Sequence, residues 1–485
     1  MKGGAGVGNA RVTRRGLLAA GAATLAAGAL AGCGSTVARL TRAAAIPVVL
    51  TWCPWHGFPN GGSRAAVELL RQGIQPWLAQ NPGVRVQIAD LANTQAIVAS
   101  LLAGNGPDIF EDSVLPPYTE SALALDLQPY LRREGAAGRV FTSGQLVPLQ
   151  AQTAGPAGVA LYGLPAHTRT VALAVNRGAV DALGLTEPQP DWTYGQWENL
   201  WRQVTASSRP GTWGSALDWS GYDGSGGNPA PFYLKGFGGE YVDPADPTQA
   251  WLDQSGSLDA LNWAYGLVRD GVCVATSETD VESEFASGRL VSGPLGTTGG
   301  LLTAAEHWNG LDWNLYPMPV WPKGRFTLGS GEFCAIWSGS RQQELAWSLV
   351  DYLCLGSRWQ EYLIQLALIG PNQQRLWGAW QAQVAVQAPP LRAVDIGVFA
   401  QAVGQNELYS GLSFPFAEQQ TTQILAAFGQ QVMNGVSVAS AASAAAKRIN
   451  AVQATYAQAE AAGQAAQADL QKWASSGTAS GSTAG

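Results

Sequence analysis

The sequence predicts an α/β fold with largely parallel sheets, and three observations carry that expectation. Strand-like and helix-like runs alternate from residue 46 onward, the alternation resumes after Gly158, and 46% of the 485 residues are hydrophobic against 13% charged. Alternating strand and helix units place helices on the faces of a parallel sheet, and a chain of this length and apolarity buries two or three cores.

The elements follow in order. Ile46 to Trp52 is a β-rich apolar run, and Ser63 to Gln80 carries Val67, Leu70, Ile74 and Trp77 at helical spacing. Val84 to Ile88 alternates as a strand, with Asn81-Pro82-Gly83 as the turn before it. A helix from Thr94 to Ala103 ends at Gly104, and Ile109-Phe110 opens another strand. After Gly158, Leu161 to Pro165 and Thr170 to Asn176 read as strands, and Gly195 to Ser207 and Leu258 to Asp270 as helices. Trp313 to Pro317 and Phe333 to Trp337 are strands again, Gln342 to Leu355 an amphipathic helix, and Gln419 to Leu470 a helical stretch rich in Ala and Gln. Ser475 to Gly485 is a Ser, Gly, Thr and Ala tail that reads as disordered. No internal repeat is present.

The amino terminus reads as an export signal. A basic stretch ending in Arg14 and Arg15 precedes an uncharged run from Gly16 to Ala31, too short and too rich in Gly and Ala to span a bilayer stably. Leu30-Ala31-Gly32-Cys33 resembles the bacterial lipobox, which makes Cys33 a lipid attachment point on the outer face of the cell membrane. The twin arginines followed by Gly16, Leu17 and Leu18 resemble a Tat signal, which implies export in the folded state. Four further cysteines, Cys53, Cys273, Cys334 and Cys354, show no metal spacing, and both one disulfide and isolated buried thiols fit them.

Composition excludes several functions. Cleavage before Cys33 removes Lys2, Arg11, Arg14 and Arg15 but no acid, leaving 24 basic against 35 acidic residues, a net charge of −11. Nucleic acid is excluded as a partner because phosphate binding needs clustered positive charge. Only five lysines occur, which also argues against an anionic small molecule, although one well-placed arginine would overturn that argument. No Lys precedes Ser or Thr as a nucleotide loop requires. The histidines His56, His167 and His307 lie far apart with no metal motif, so neither metal nor cofactor is expected.

Read in order, several motifs resemble the sugar-binding family of extracellular solute-binding proteins of ABC importers that includes maltose-binding protein. The run from Trp77 to Val86 is similar to that family's helix-turn-strand, and Gly104-Asn105-Gly106-Pro107-Asp108 to its Gly-x-x-Pro-Asp signature. Tyr162-Gly163-Leu164-Pro165 followed by Ala174-Val175-Asn176, then Phe237-Gly238-Gly239, Arg269-Asp270-Gly271 and Phe285 to Arg289 fall in the family's order. So does Gly329 to Trp337 with Ala346 to Leu353. No single motif is specific, but their ordered run from residue 46 to 450 is.

The resemblance implies a two-lobed periplasmic-binding-protein fold, each lobe a mostly parallel sheet flanked by helices, with a ligand cleft that closes by hinge motion. The organisation it implies is a signal at 1–32, a tether at 33–45, lobe I at 46–157 and lobe II at 158–298. A lobe I return at 299–356, lobe II and carboxy-terminal helices at 357–470, and a tail at 471–485 complete it. Crossovers fall near 155–160, 293–300 and 355–370. It further implies a monomer that delivers a sugar to ABC permease subunits.

A neutral sugar offers CH faces to aromatic rings and hydroxyls to paired donors and acceptors. Trp55 and His56 follow the first strand; the competing readings are a ring capping the sheet edge and a solvated loop histidine. Glu111 and Asp112 stand where the family sends hydrogen-bonding side chains into its cleft, although adjacent acids after a strand also simply face water. Asp108 is left out because in this motif it braces the turn. From the second lobe, Arg169 lies between two strands, and Trp219 and Tyr222 sit in a Gly-rich loop that lets rings approach a ligand. Thr297 occupies a place where many relatives have an aromatic residue, and Glu332 is an acid near the hinge. Two other readings remain open: a secreted carbohydrate-active enzyme using two carboxylates, and the same fold binding a glycerol-phosphate solute through Arg169.

Overall fold

The computed structural model describes residues 47–55, 64–113, 115, 118–119, 121–134, 141, 150–152, 159–217, 230–275, 280–296, 300–329, 331–366, 370–409, 411, 414 and 417–478. The residues around Cys33 and the export signal lie outside them.

The first lobe is built on a five-stranded sheet in the order Val84–Ile88, Val48–Cys53, Ile109–Asp112, Phe333–Ile336, Leu164–Pro165. The first three strands run parallel, in register Val48↔Val84 and Trp52↔Ile109, and Phe333–Ile336 runs antiparallel to both of its neighbours. Helix Arg64–Gln80 buries Leu70, Ile74 and Trp77, one stripe at helical spacing, and Trp77 Nε1 donates to the Ser348 carbonyl at 3.1 Å. The chain then reverses at Gly83, whose φ of +97° only glycine adopts freely. Asn93 caps the next helix, Thr94–Leu102, by accepting from Ala96 N at 2.9 Å. Asp108 braces the following turn, accepting from Thr51 N at 2.8 Å and Ser340 Oγ at 2.5 Å.

The second lobe centres on Val171–Asn176, buried at every residue, flanked by Ser292–Gly296 and Trp313–Tyr316. Both flanking pairings are antiparallel, so this three-stranded sheet departs from the parallel expectation. Placing Trp313–Tyr316 here also corrects the expected lobe I return at 299: the chain re-enters the first sheet only at Phe333. An apolar run such as Trp-Asn-Leu-Tyr fits the edge of either sheet, and only pairing with Asn176 decides between them. Among the described residues eleven tryptophans are buried, Trp197, Trp201, Trp308 and Trp380 among them.

Helical ends differ from expectation for local reasons. The helix expected over Gln342–Leu355 is α from Gln343 to Val350 and then a π turn, Asp351–Leu355. The stretch from Gln419 is two helices, Glu418–Met433 and Val438–Thr478, separated at Gly435, whose φ of +92° stops the first as a glycine after a helix end does. The second of these runs through the start of the expected disordered tail, to Thr478. Helix Ser357–Leu366 serves both lobes, with Trp359 and Leu363 in the first core and Ile364 in the second.

Among the described residues the lobes are knit together at 165–171, 331–333, 354–366 and 370–373 rather than at the expected 155–160 and 293–300. Ala166 N donates to Glu332 O at 2.8 Å and Thr168 N to Gly370 O at 3.0 Å. Asn372 Nδ2 donates to Pro165 O at 2.6 Å, and Gln360 Nε2 to Ala166 O at 2.8 Å. These fully buried amides satisfy carbonyls that irregular crossover strands leave outside any ladder. Gly331 is needed for the approach, since a Cβ there would fall inside the carbonyl of His167. Replacing Gly331 by Ala is expected to cost about 1–3 kcal/mol, read as a lower urea midpoint with unchanged slope; an unchanged midpoint would show that the crossover has slack.

Candidate functional site

Trp55 stands two residues past the Val48–Cys53 strand, and its placement depends on Glu111 in the neighbouring strand. Trp52 Nε1 donates to Glu111 Oε1 at 3.1 Å and the Trp55 backbone N–H to Glu111 Oε2 at 3.2 Å. Both Glu111 oxygens are thus taken by the chain end that carries Trp55. Burial pushes the Glu111 carboxyl up from 4.5 to about 7; hydrogen bonds from Trp55 and Trp52 pull against it, and Glu332 adds to the rise. Asp112 points to the other face, as neighbouring strand residues must. Its fully buried carboxylate accepts from Thr94 Oγ1 at 3.1 Å, from Ser113 N at 2.6 Å and from the Tyr118 hydroxyl. Its hydrogen bonds tie the start of a helix to the sheet, which is bracing rather than the solvent-facing acid of the alternative reading.

Arg169 and Glu332 come from two different crossovers and meet at the hinge. Arg169 Nη2 donates to Glu332 Oε1 at 2.5 Å, and His167 Nε2 lies against Glu332 Oε2. Glu332 is completely buried. Burial alone would push its carboxyl up, but the charge and hydrogen bond of His167 and the charge of Arg169 outweigh it and hold Glu332 down to about 2. On the other side of Arg169 lies Trp55. The guanidinium carbon is 5.4 Å from the Trp55 ring centre, within cation–π range, and the His167 ring is 5.5 Å from the same indole at a 44° tilt.

Four of the expected site residues therefore gather in one place: Trp55, Arg169 and Glu332 in a direct chain of contacts, and Glu111 behind Trp55. Asp112 does not join them. His56, Trp219, Tyr222 and Thr297 lie outside the described residues. Gly296, the residue before Thr297, pairs with Val171, two positions past Arg169. His167 belongs to the cluster and was missed in the sequence. The available signal was its spacing, because residues 167 and 169 of an extended segment share one face.

Trp55 is half-buried and the Arg169 side chain 14% exposed, so both keep part of their surface in solvent. Arg169 Nε is buried and has no acceptor among the described residues. Such a surface stacks on CH faces and donates to hydroxyl oxygens. Among the described residues no three His, Cys, Asp or Glu side chains could hold a metal ion, and Cys53, Cys273, Cys334 and Cys354 are free, buried thiols, the unpaired one of the two expectations. No described helix is long and apolar enough to cross a membrane.

The family model of the bacterial extracellular solute-binding proteins matches residues 61–354. The chain belongs to that family. Solved structures share its fold at low identity. The sugar-binding protein MalE from Xanthomonas citri aligns at TM-score 0.64 and 16% identity, over 84% of this chain and 98% of its own. The ABC substrate-binding protein Lmo0181 from Listeria monocytogenes, in complex with cycloalternan, aligns at TM-score 0.62 and 15% identity, over 83% and 98%. UgpB from Mycobacterium tuberculosis, in complex with glycerophosphocholine, aligns at TM-score 0.61 and 16% identity, over 84% and 98%. No curated protein matches by sequence. As an extracellular solute-binding protein the chain has two lobes, and the Trp55, Arg169 and Glu332 cluster stands at their junction.

Proposed function

We propose that this solute-binding protein captures a neutral carbohydrate between its lobes and delivers it to an ABC permease, as a monomer held by a lipid on Cys33 at the outer face of the cell membrane. The observation that carries the reading is the neutralised platform. Trp55 offers an indole face, and the cation beside it, Arg169, already carries the buried Glu332 as its counter-ion. A hydroxylated, uncharged ring gains stacking and N–H donation there without bringing a charge to be compensated. The same pairing weighs against Arg169 as the anchor of a glycerol-phosphate solute.

The enzyme reading is less well supported. Glu111 is raised to about 7, the range a general acid needs, but both its oxygens already accept from Trp52 and Trp55. Incubation with oligosaccharides separates the two readings: a fluorescence change without product supports the binder, and released reducing ends support the enzyme.

The direct test is a thermal-shift screen with mono- and disaccharides, since a ligand bound only by the folded state raises the midpoint. A sugar found this way is expected to bind Trp55→Ala at least about ten-fold more weakly, measured by calorimetry. Equal affinity in the folded variant would return Trp55 to a packing role. The anchor is tested separately: Cys33→Ala is expected to leave the protein without lipid, and a variant that still partitions into detergent as a lipid-modified species would refute it.

A further inference from the structure

We infer that Glu332 is the residue that sets the charge selectivity of the cleft, by neutralising Arg169 from behind so that the surface beside Trp55 accepts uncharged solutes and rejects anions. The inference deepens the carbohydrate reading and rests on Trp55 and Arg169 facing the ligand.

The argument is electrostatic. An arginine edge beside an aromatic ring is, taken alone, an anion site, because a guanidinium donates two parallel hydrogen bonds to a phosphate or carboxylate. Here one of those donors, Nη2, is spent on Glu332, and the Glu332 carboxylate lies against His167 as well. An anion approaching Arg169 therefore meets a negative charge one guanidinium width further in. That charge is fully buried, so water screens it little and its repulsion reaches the cleft surface. A neutral hydroxyl feels no such opposition and still finds the guanidinium N–H groups that Glu332 does not take.

Position makes Glu332 suited to this role. Its backbone is tied to the other crossover through Ala166 N at 2.8 Å, and Gly331 before it packs directly on the backbone of His167. The backbone that carries the carboxylate is therefore held against the segment that carries Arg169. Glu332 touches no solvent, so it acts on the ligand through its charge and through Arg169 and not by contact; it is a positioning residue.

The experiment compares wild type with Glu332→Gln, which keeps the volume and an oxygen for Arg169 but removes the charge. Both are titrated at low ionic strength with inorganic phosphate, and with a neutral sugar taken from the screen. The variant is expected to bind phosphate at least about ten-fold more tightly than wild type, the scale of one charge-assisted hydrogen bond. The gain should fall with added salt and vanish in Glu332→Gln combined with Arg169→Gln. A folded Glu332→Gln with wild-type phosphate affinity overturns the inference.

If Glu332→Gln does not fold, Arg169→Gln carries the test from the other side. With Glu332 left uncovered, glucosamine is expected to gain at least about ten-fold over glucose relative to wild type, and an unchanged ratio overturns the inference. A wild type that binds no neutral sugar would refute the carbohydrate reading, while the phosphate ratio would still decide the role of Glu332.

Discussion

Replacing Glu332 by alanine is expected to destabilise the folded protein by about 3–5 kcal/mol, because it leaves Arg169, and His167 beside it, in a buried junction without their shared carboxylate. The magnitude follows from burial. Glu332 is 0% exposed and Arg169 14%, so little water reaches the guanidinium once its partner is gone. Two further costs point the same way. The truncation opens a void at the point where two crossovers touch, and it loosens the contact that orients Arg169 against Trp55. Urea unfolding at neutral pH measures the loss. A change below about 1 kcal/mol would mean that water enters the junction and that the cluster is no tighter than a surface ion pair.

The second large effect is a stability profile that peaks near pH 4.5 and falls on both sides. Glu332 is held down to about 2 from 4.5, so its contribution is fully present above 4.5 and is lost as pH falls toward 2. Glu111 is raised from 4.5 to about 7, so the folded state keeps a proton that the unfolded state has released. Its contribution is fully present below 4.5 and is lost as pH rises through 7. At about 1.4 kcal/mol per pH unit, each window is worth about 3 kcal/mol. Urea midpoints at pH 3, 4.5 and 7.5 check the shape, and Glu111→Gln assigns the neutral side. That variant is expected to lose the decline between pH 4.5 and 7.5 while keeping the acid limb. A decline that survives it would place the titrating group elsewhere.

Both effects arise from charges that a reading of the chain treats differently. Glu332 was recognisable as an acid near a hinge because it follows Gly329-Ser330-Gly331 and precedes an apolar strand. Glu111 and Asp112 look alike in sequence, two acids at the end of one strand. The structure separates them by the face each occupies: Glu111 holds the segment carrying Trp55, and Asp112 holds the start of the Thr94–Leu102 helix. His167 was the opposite case, a histidine with no motif around it that turns out to sit at the centre of the cluster.

What the chain determines by itself is local and ordered. The β-branched run at Val48, the stripe of Leu70, Ile74 and Trp77, the Asn81-Pro82-Gly83 turn and the succession of family motifs each follow from spacing or backbone preference among neighbouring residues. That was enough for the α/β class and, through the resemblance, for two lobes. Tertiary structure decided which sheet received each ambiguous strand, where the lobes cross, and which charges meet. Trp313–Tyr316 joined the second lobe because Asn176 lay open to pair with it, and the crossovers moved to the places where Gly331 and Gly370 let backbones touch. The meeting of Arg169 with Glu332 spans 163 positions of sequence. No period or propensity reaches that far, because the free energy of a buried ion pair belongs to the junction that excludes water around it and not to either residue.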